Sequence, residues 1–267
     1  MKSLFAEKVF LNLTAYNYDE NLLYFTDGQI KNKYRFMQNK NQIDERKMHL
    51  RDAEHNAKKL FDQTVKNNWI RSGISERELS DKIHGLAFEM FGTKKHWHKR
   101  IVRAGINTLL PYSKKPPDRI IDADDILFFD FGPVFEEWEA DLGRTYVLGD
   151  DPRKIQLMQD VEECWSLGKM YFDSNPSITG AELYRYICKL AEERSWTFGN
   201  EHCGHLIGKF PHEKIQGEKT LNYIHPNNHQ QMNAPDQYGN PRDWILEIHF
   251  IDEALKIGGF YEQLLTC

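Results

Sequence analysis

Apolar residues recur at helical intervals in four segments of the chain, and these segments come in two pairs. The second segment opens at Ser75, where Glu78 stands three residues later in the arrangement of a capping box. The third opens at Asp151, directly before a proline that suits the first helical position. The predicted helices are Ile43–Ser72, Ser75–Phe91, one that starts at Asp151, and Thr179–Arg194.

Apolar and aromatic runs without helical spacing follow each helix pair and predict strands. The predicted strands are His96–Ala104, Ile126–Phe131, Ala140–Leu148, one at the end of Phe198–Ile207, Trp244–Ile251 and Gly258–Thr266. Between them, the polar segment Gln216–Asp243 is predicted to be an inserted surface loop. The order of helix pair, strands, helix pair, strands predicts an α+β architecture of two similar αβ halves with the sheet in the middle.

Length and composition bound the domain organisation. The 267 residues suit one large domain or two small ones. Residues 1–42 are polar and irregular with short aromatic patches, which predicts an N-terminal arm packed on the main body or on a partner subunit. Residues 43–267 form the predicted main domain.

Charge and cysteine usage exclude several classes of protein. The net charge of −5 carries no basic excess, so a nucleic-acid partner is not expected. Glu7 and Lys8 interrupt the start of the chain, and no run approaches the roughly 20 apolar residues of a membrane span. Neither a signal peptide nor a membrane partner is therefore predicted. The four cysteines lack CxxC spacing, which indicates a reducing, cytoplasmic location rather than a disulfide framework.

Two aspartates lie on the predicted arms of one β-hairpin. The apolar run Ile126–Phe131 is broken by Gly132-Pro133, and Ala140–Leu148 follows. A symmetric hairpin places Asp130 directly opposite Asp141, with Cβ atoms roughly 5 Å apart. Such carboxylates repel unless a cation lies between them or one is protonated. Two strand-end aspartates on solvated loops are the ordinary alternative.

Three further polar residues interrupt apolar strand segments. His205 is flanked by Gly204 and Gly208, Glu247 interrupts an isoleucine- and leucine-rich run, and Glu262 follows Gly258–Tyr261. Singly, a hydrogen-bonded core histidine and solvent-facing glutamates would explain them. Together with the hairpin aspartates they make four carboxylates and one imidazole beside apolar sheet segments. Burying that charge without cations would cost many kcal/mol, and two divalent metal ions would remove the objection.

The order and spacing of these residues resemble a known family. Asp130-Phe131-Gly132, Asp141 eleven residues later, Gly204-His205-x-x-Gly208, Glu247 and Glu262 look like the motifs of the pita-bread metallopeptidases. That family, with the creatinase/aminopeptidase fold, includes methionine aminopeptidase, aminopeptidase P and prolidase. The resemblance covers Ile43 to the C-terminus and implies two αβ halves around a curved antiparallel sheet.

The resemblance also implies a dinuclear metal site. Asp130 would chelate one ion, Asp141 and Glu262 would bridge both, and His205 and Glu247 would hold the other. This donor set suits Mn²⁺, Fe²⁺, Co²⁺ or Zn²⁺ without choosing among them. A metal-bridging water would attack a carbonyl of a peptide or small amide substrate. The family also makes a homodimer plausible.

Catalytic roles follow from the same resemblance. Glu247 would shuttle the proton, and His212, seven residues after His205, would stabilise the tetrahedral oxyanion. Tyr112 stands eighteen residues before Asp130, where the family usually has a substrate-contacting histidine. A tyrosine can donate a hydrogen bond but exchanges no proton near neutral pH. His98 is a second side chain that could reach the site.

Three functions stay open on these residues. The first is a metallo-aminopeptidase or Xaa-Pro-type peptidase. The second keeps the fold and metals but acts on a small non-peptide metabolite. The third is a non-catalytic pita-bread binding module, which predicts lost ligands, and none is lost. His225 and His229 of the polar segment could line the pocket or be solvated, and Cys203 is expected to pack rather than react.

Overall fold

A computed structural model describes residues 27–237 and 239–267, with side chains described from residue 40 onward. The predicted arm, residues 1–42, lies outside the described residues as far as residue 26, and its boundary stays a prediction. The chain divides into two compact units, Met1–Glu45 and Arg46–Cys267, and the site described below belongs to the second. No helix in the described ranges is long and apolar enough to cross a membrane.

Four helices occur in the described residues, in the two predicted pairs. They are α1 (Asp27–Lys66), α2 (Glu76–Phe91), α3 (Pro152–Ser174) and α4 (Gly180–Glu193). The helix start predicted at Ile43 is wrong. The helix α1 already begins at Asp27, and the polar residues between Asp27 and Ile43 are part of it. Ser75 caps α2 by accepting from the Glu78 N–H, and Thr179 and Glu182 form a complete capping box on α4. Local cap chemistry therefore located two of the helix starts correctly.

The strands form one seven-stranded antiparallel sheet and one small hairpin, which confirms the α+β class. They are β1 (Ile101–Ala104), β2 (Ile126–Phe131), β3 (Val134–Phe135), β4 (Trp138–Glu139), β5 (Leu142–Val147), β6 (Thr197–Phe198), β7 (Gly204–Ile207), β8 (Asp243–Asp252) and β9 (Ile257–Leu264). The sheet order is β1-β2-β5-β9-β8-β6, and β7 also pairs with β8. The strand predicted to start at His96 begins only at Ile101.

The hairpin register differs from the symmetric one predicted. Asp130 lies opposite Gly143 rather than Asp141, and Asp141 stands just before β5. The symmetric register centres the turn between Phe135 and Glu136. In the structure the chain runs past Gly132-Pro133 into β3 and β4, which leave Glu136-Glu137 as the turn, and the φ of Glu136 is left-handed at 55°. The centre of the hairpin therefore lies one residue later, which shifts each cross-strand partner by two.

The two helix pairs cover one face of the sheet. Leu127, Phe129 and Phe131 of β2 pack in a core cluster with α1 and α2. Leu246 and Ile248 of β8 pack in a second cluster with α3 and α4. Because successive strand residues point to opposite faces, the intervening residues point away from the helices. The candidate ligands on β2 and β8 are among those intervening residues.

The polar segment between β7 and β8 is more than a surface loop. It contains a short 3₁₀ helix, Lys219–Asn222, and otherwise irregular backbone. Ile224 and Met232 are fully buried in the core beside α3 and α4. The buried Asn228 side chain donates to two backbone carbonyls of its own segment. The two apolar side chains therefore attach the middle of the segment to the core, and the Asn228 hydrogen bonds hold the loop between them together.

Candidate metal centre

Three of the predicted ligands lie in one row across the sheet. Asp130 on β2 pairs with Gly143 on β5, Gly143 pairs with Glu262 on β9, and Glu262 pairs with Glu247 on β8. Directly paired residues of an antiparallel sheet point to the same face. The three carboxylates therefore share the face that the helices leave free, and all are buried.

Gly143 makes room in this row. A Cβ atom at this position would lie 2.8 Å from Cβ of Glu262 and closer still to the Phe260 ring. Contacts under 3 Å force a neighbour to move, so any side chain here would displace Phe260 or Glu262. A glycine at the second position of β5 thus leaves space between Asp130 and Glu262.

Asp141 lies at the centre of the cluster, between two imidazoles. Its Oδ1 is 3.0 Å from Nε2 of His98, and its Oδ2 is 3.2 Å from Nε2 of His205. The same nitrogens lie 3.6 Å from Asp130 and from Glu262, respectively. Among the described residues, two groups could each hold a metal ion: His98-Asp130-Asp141 and Asp141-His205-Glu262.

Crowded negative charge perturbs the titration of these carboxylates. Burial, reinforced by Asp141, raises the pKa of Asp130 to about 7 against the opposing effect of His98. Burial and the same Asp141 charge raise the pKa of Glu262 well above its ordinary value. Burial also acts on Asp141, but the His98 and His205 imidazoles outweigh it and hold its pKa below the usual range. The cluster therefore favours added positive charge.

The imidazoles respond to the carboxylates in the opposite sense. Burial lowers the pKa of His98, but Asp141 and Asp130 outweigh burial and raise it to about 9. Burial is likewise outweighed at His205, where hydrogen bonds with Asp141 and Glu262 raise the pKa well above its ordinary value. The neighbouring carboxylates therefore favour positive charge at both imidazole positions.

The donor set fits divalent metal ions. Oxygen ligands with one imidazole per group suit first-row divalent ions such as Mn²⁺, Fe²⁺, Co²⁺ or Zn²⁺. One buried oxygen of the cluster, Oε2 of Glu262, has no hydrogen-bond partner among the described residues. A buried carboxylate oxygen without a partner is costly unless a ligand satisfies it. The residues of this cluster therefore fit the divalent metal ions that the family resemblance implied.

Glu247 has separate partners at the end of the row. Its Oε1 lies 2.6 Å from Nδ1 of His202 and 3.3 Å from the side-chain nitrogen of Asn200. Burial raises the pKa of Glu247, but His202 outweighs burial and lowers it. Glu247 is absent from the two three-residue groups, although it shares a face with Asp130 and Glu262. Its carboxylate faces a basic neighbour that the sequence pattern did not single out.

His212 is held by a buried glutamate. Its Nδ1 lies 2.7 Å from Oε2 of Glu139, and Glu139 also accepts from the backbone N–H groups of His212 and Gly208. The Trp97 ring stands edge-on to His212 and also to His205. His212 lines a cavity of about 670 Å³ with residues of the polar segment. The structure thus separates His212 from His205 by the Trp97 ring, and His212 lines the cavity beside the polar segment.

Tyr112 lies on the other side of the cluster. Its ring stands edge-on to His98, and its hydroxyl oxygen accepts from the Lys99 N–H at 3.2 Å. It lines a small cavity together with Asp130 and Glu247. The buried Arg103 guanidinium donates to two carbonyls of the loop that carries Tyr112, those of Leu110 and Lys114. Tyr112 and His98 are therefore in contact with each other, and both lie beside the cluster.

Other side chains singled out in the sequence lie outside the cluster. Cys203 is fully buried, and burial raises the pKa of its thiol, so it stays neutral. His229 is exposed and His225 is half-buried on the polar segment. Glu139 and His202 contact predicted site residues but were not singled out in the sequence. The one signal that could have found them is their position close to a motif. Glu139 stands two residues before Asp141, and His202 stands three residues before His205.

Known proteins share both sequence and fold with this chain. A family model for metallopeptidase family M24 matches residues 48–236. The chain is 27% identical over 146 residues to an Xaa-Pro dipeptidase of Pyrococcus horikoshii, covering 54% of this chain and 40% of that protein. It is 25% identical over 150 residues to methionine aminopeptidase 1 of Saccharomyces cerevisiae, covering 54% of this chain and 38% of that protein.

The chain therefore spans about two fifths of the length of these relatives. Among solved structures, recombinant prolidase from Thermococcus sibiricus matches with a TM-score of 0.66 at 20% identity. That match covers 82% of this chain and 55% of the prolidase chain.

Proposed function

The chain belongs to metallopeptidase family M24 and has the pita-bread fold, and from this premise we propose that it is a dinuclear metal-dependent peptidase. It would cleave the N-terminal peptide bond of a peptide or a bond next to proline. The observation that carries the proposal is the buried cluster around Asp141, in which carboxylates and imidazoles form two adjoining candidate metal groups.

Two divalent ions, Mn²⁺, Fe²⁺, Co²⁺ or Zn²⁺, would be held by Asp130, Asp141, His205, Glu247 and Glu262. Bound there, they would polarise the scissile carbonyl and generate a nucleophile near neutral pH. Glu247 would take up and release a proton at its carboxylate, beside His202. His212, fixed through Nδ1 by Glu139, would present Nε2 toward the substrate, and Tyr112 would orient the substrate from the opposite side.

The compartment and assembly are also proposals. A reducing, cytoplasmic location is supported by the four cysteines, none of which forms a disulfide. The homodimer implied by the family resemblance stays a prediction.

A substrate screen tests the peptidase activity. The chelated protein is reloaded with each of the four ions and incubated with dipeptides carrying proline second, Met-initiated peptides and small amides. Products are identified by mass spectrometry. We expect release of an N-terminal residue from at least one peptide class. Cleavage of amides alone would transfer the proposal to a small non-peptide metabolite, and no turnover of any substrate would contradict it.

Asp141→Ala tests whether the cluster carries that activity. Loss of several kcal/mol of transition-state stabilisation should lower kcat/KM by roughly a thousandfold or more, with loss of at least one ion. Metal content and peptide hydrolysis are measured together. The matched control is Asp173→Ala, since Asp173 is an exposed aspartate paired with Lys169 on α3. An Asp141 variant that keeps both ions and full turnover would place the active site elsewhere.

A further inference from the structure

His98 and His205 approach the central carboxylate in the same way from two sides. His98 faces Oδ1 of Asp141 at 3.0 Å, and His205 faces Oδ2 at 3.2 Å. Each imidazole has a second carboxylate at 3.6 Å, which is Asp130 for His98 and Glu262 for His205. The two groups are therefore built alike around one shared residue.

The other ring nitrogens are also bonded alike. Nδ1 of His98 lies 2.7 Å from the carbonyl oxygen of Lys99, and Nδ1 of His205 lies 2.9 Å from that of Leu206. A carbonyl only accepts, so Nδ1 carries the hydrogen, and in the neutral ring Nε2 presents its lone pair to the carboxylates. Metal-bound histidines commonly donate their other N–H in this manner. His98 thus has the orientation of a ligand.

The segment before β1 is built to bring His98 to this position. The Trp97 N–H donates to the carbonyl of Gly132, and the Trp97 indole N–H donates to the carbonyl of Ala140. Gly132 leaves the space that the ring occupies, because a Cβ atom there would collide with His98 and would lie 2.5 Å from Nε1 of Trp97. As a result, only 8% of the His98 side chain is exposed.

We propose that His98 is a ligand of the divalent ion held by Asp130 and Asp141, so that each of the two ions has one imidazole. The inference rests on the proposed function, because it requires two ions in this cluster. An imidazole at both positions favours ions such as Zn²⁺, Fe²⁺ or Co²⁺ over the ions that prefer oxygen ligands alone.

Calorimetric titration with Co²⁺ of wild type and His98→Ala tests the ligand. Wild type should bind two ions, and the variant should bind one of them roughly tenfold or more weakly. Added free imidazole should restore that affinity in the variant, because it can occupy the vacated space and supply the missing nitrogen. The control is His55→Ala, which changes an exposed histidine of α1 and should bind both ions as wild type does.

Pulsed electron paramagnetic resonance gives a readout that does not need a folded His98 variant. In His205→Ala protein with one Mn²⁺ bound, the spectrum should still show nitrogen coupling from His98. No coupling, or two unweakened Co²⁺ ions in His98→Ala, would overturn the ligand role while leaving the proposed function intact. Wild type that binds no Co²⁺ or Mn²⁺ would instead overturn both.

Discussion

At the scale of single residues, a buried glutamate holds the His212 imidazole in place. Glu139 is 1% exposed and is bonded both to the His212 imidazole and to two backbone N–H groups. An imidazole held at Nδ1 loses rotational freedom and directs Nε2 one way. We therefore expect Glu139 to act by positioning the His212 imidazole.

Replacing Glu139 tests this role. Glu139→Gln should lower kcat by roughly tenfold with KM and metal content little changed, because the ring is less well oriented for the transition state. Steady-state kinetics and metal analysis provide the measurement. Glu137→Gln is the matched control, since Glu137 lies on the turn of the same hairpin and its exposed carboxylate pairs with exposed Lys209.

A double-variant cycle separates this role from a purely structural one. If Glu139 acts through His212, Glu139→Gln should have little further effect on kcat in a His212→Ala protein. Equal losses in both backgrounds would show that Glu139 supports the fold instead.

At the scale of elements, the row of carboxylates depends on one strand position without a side chain. Gly143 lies between Asp130 and Glu262 in the register of β2, β5 and β9. From β2 to β8, the other three positions of this row, Asp130, Glu262 and Glu247, carry carboxylates. The glycine therefore sets the spacing of the ligands, which the pairing of the strands alone would not do.

Gly143→Ala should disturb both the fold and the ligand row. The added methyl forces Glu262 or Phe260 to move, so we expect a loss of about 1–3 kcal/mol in the free energy of unfolding. Metal affinity should fall by roughly tenfold or more, because Glu262 is displaced. Denaturant unfolding and metal titration measure the two effects.

Gly85→Ala in α2 is the matched control, because no described atom outside its own helical turn lies within 4 Å of its Cβ position. That change should be neutral or stabilising by up to about 1 kcal/mol. Unchanged metal affinity in the Gly143 variant would mean that the ligand row tolerates a side chain there.

At the scale of the whole molecule, the helices and the ligands lie on opposite faces of one sheet. The helix pairs bury the apolar face, and the carboxylates are buried on the other face. Burying like charges opposes folding, so the metal-free protein depends on protons and imidazolium groups to offset them. Its stability should therefore change with pH.

The metal-free protein should lose stability as the pH rises from about 6.5 to about 9. The pKa of His98 is raised from 6.5 to about 9 on folding, so its contribution is complete below 6.5 and is lost through 9. The pKa of Asp130 is raised from 3.8 to about 7, so its contribution has the same sign but is lost between these two values and reaches only the lower edge of the window. Asp141 and Glu247, with lowered pKa values, are ionised throughout this window and contribute no slope.

Urea unfolding in the presence of a chelator measures this effect, which we expect to be roughly 1–3 kcal/mol across the window. Loading with Mn²⁺ should remove or reverse the dependence, because metal ions bind deprotonated ligands. A metal-free protein that gains stability toward pH 9 would contradict the assignment of these charges.

The sequence by itself determined the order of the elements and the identity of the candidate ligands. Helix caps, such as Thr179 with Glu182, involve residues only a few positions apart, so their geometry is legible from local pattern. Polar residues inside apolar strands, such as Glu247, are conspicuous because burying them is costly without a partner. Those signals sufficed for an α+β fold with an acidic centre, and the antiparallel sheet was implied by the family resemblance.

Only the tertiary structure decided which groups meet. The centre of the hairpin lies one residue later than in the predicted symmetric register. The strand partner of Asp130 is therefore Gly143 instead of Asp141. His98 reaches Asp141 from 43 positions away, and Glu139 reaches His212 from 73. Such contacts depend on strand register and on space left by glycines, and both arise from the packing of distant segments. Neither the register nor this space can be predicted from local sequence, because periodicity specifies which face a residue is on but not which distant residues contact it.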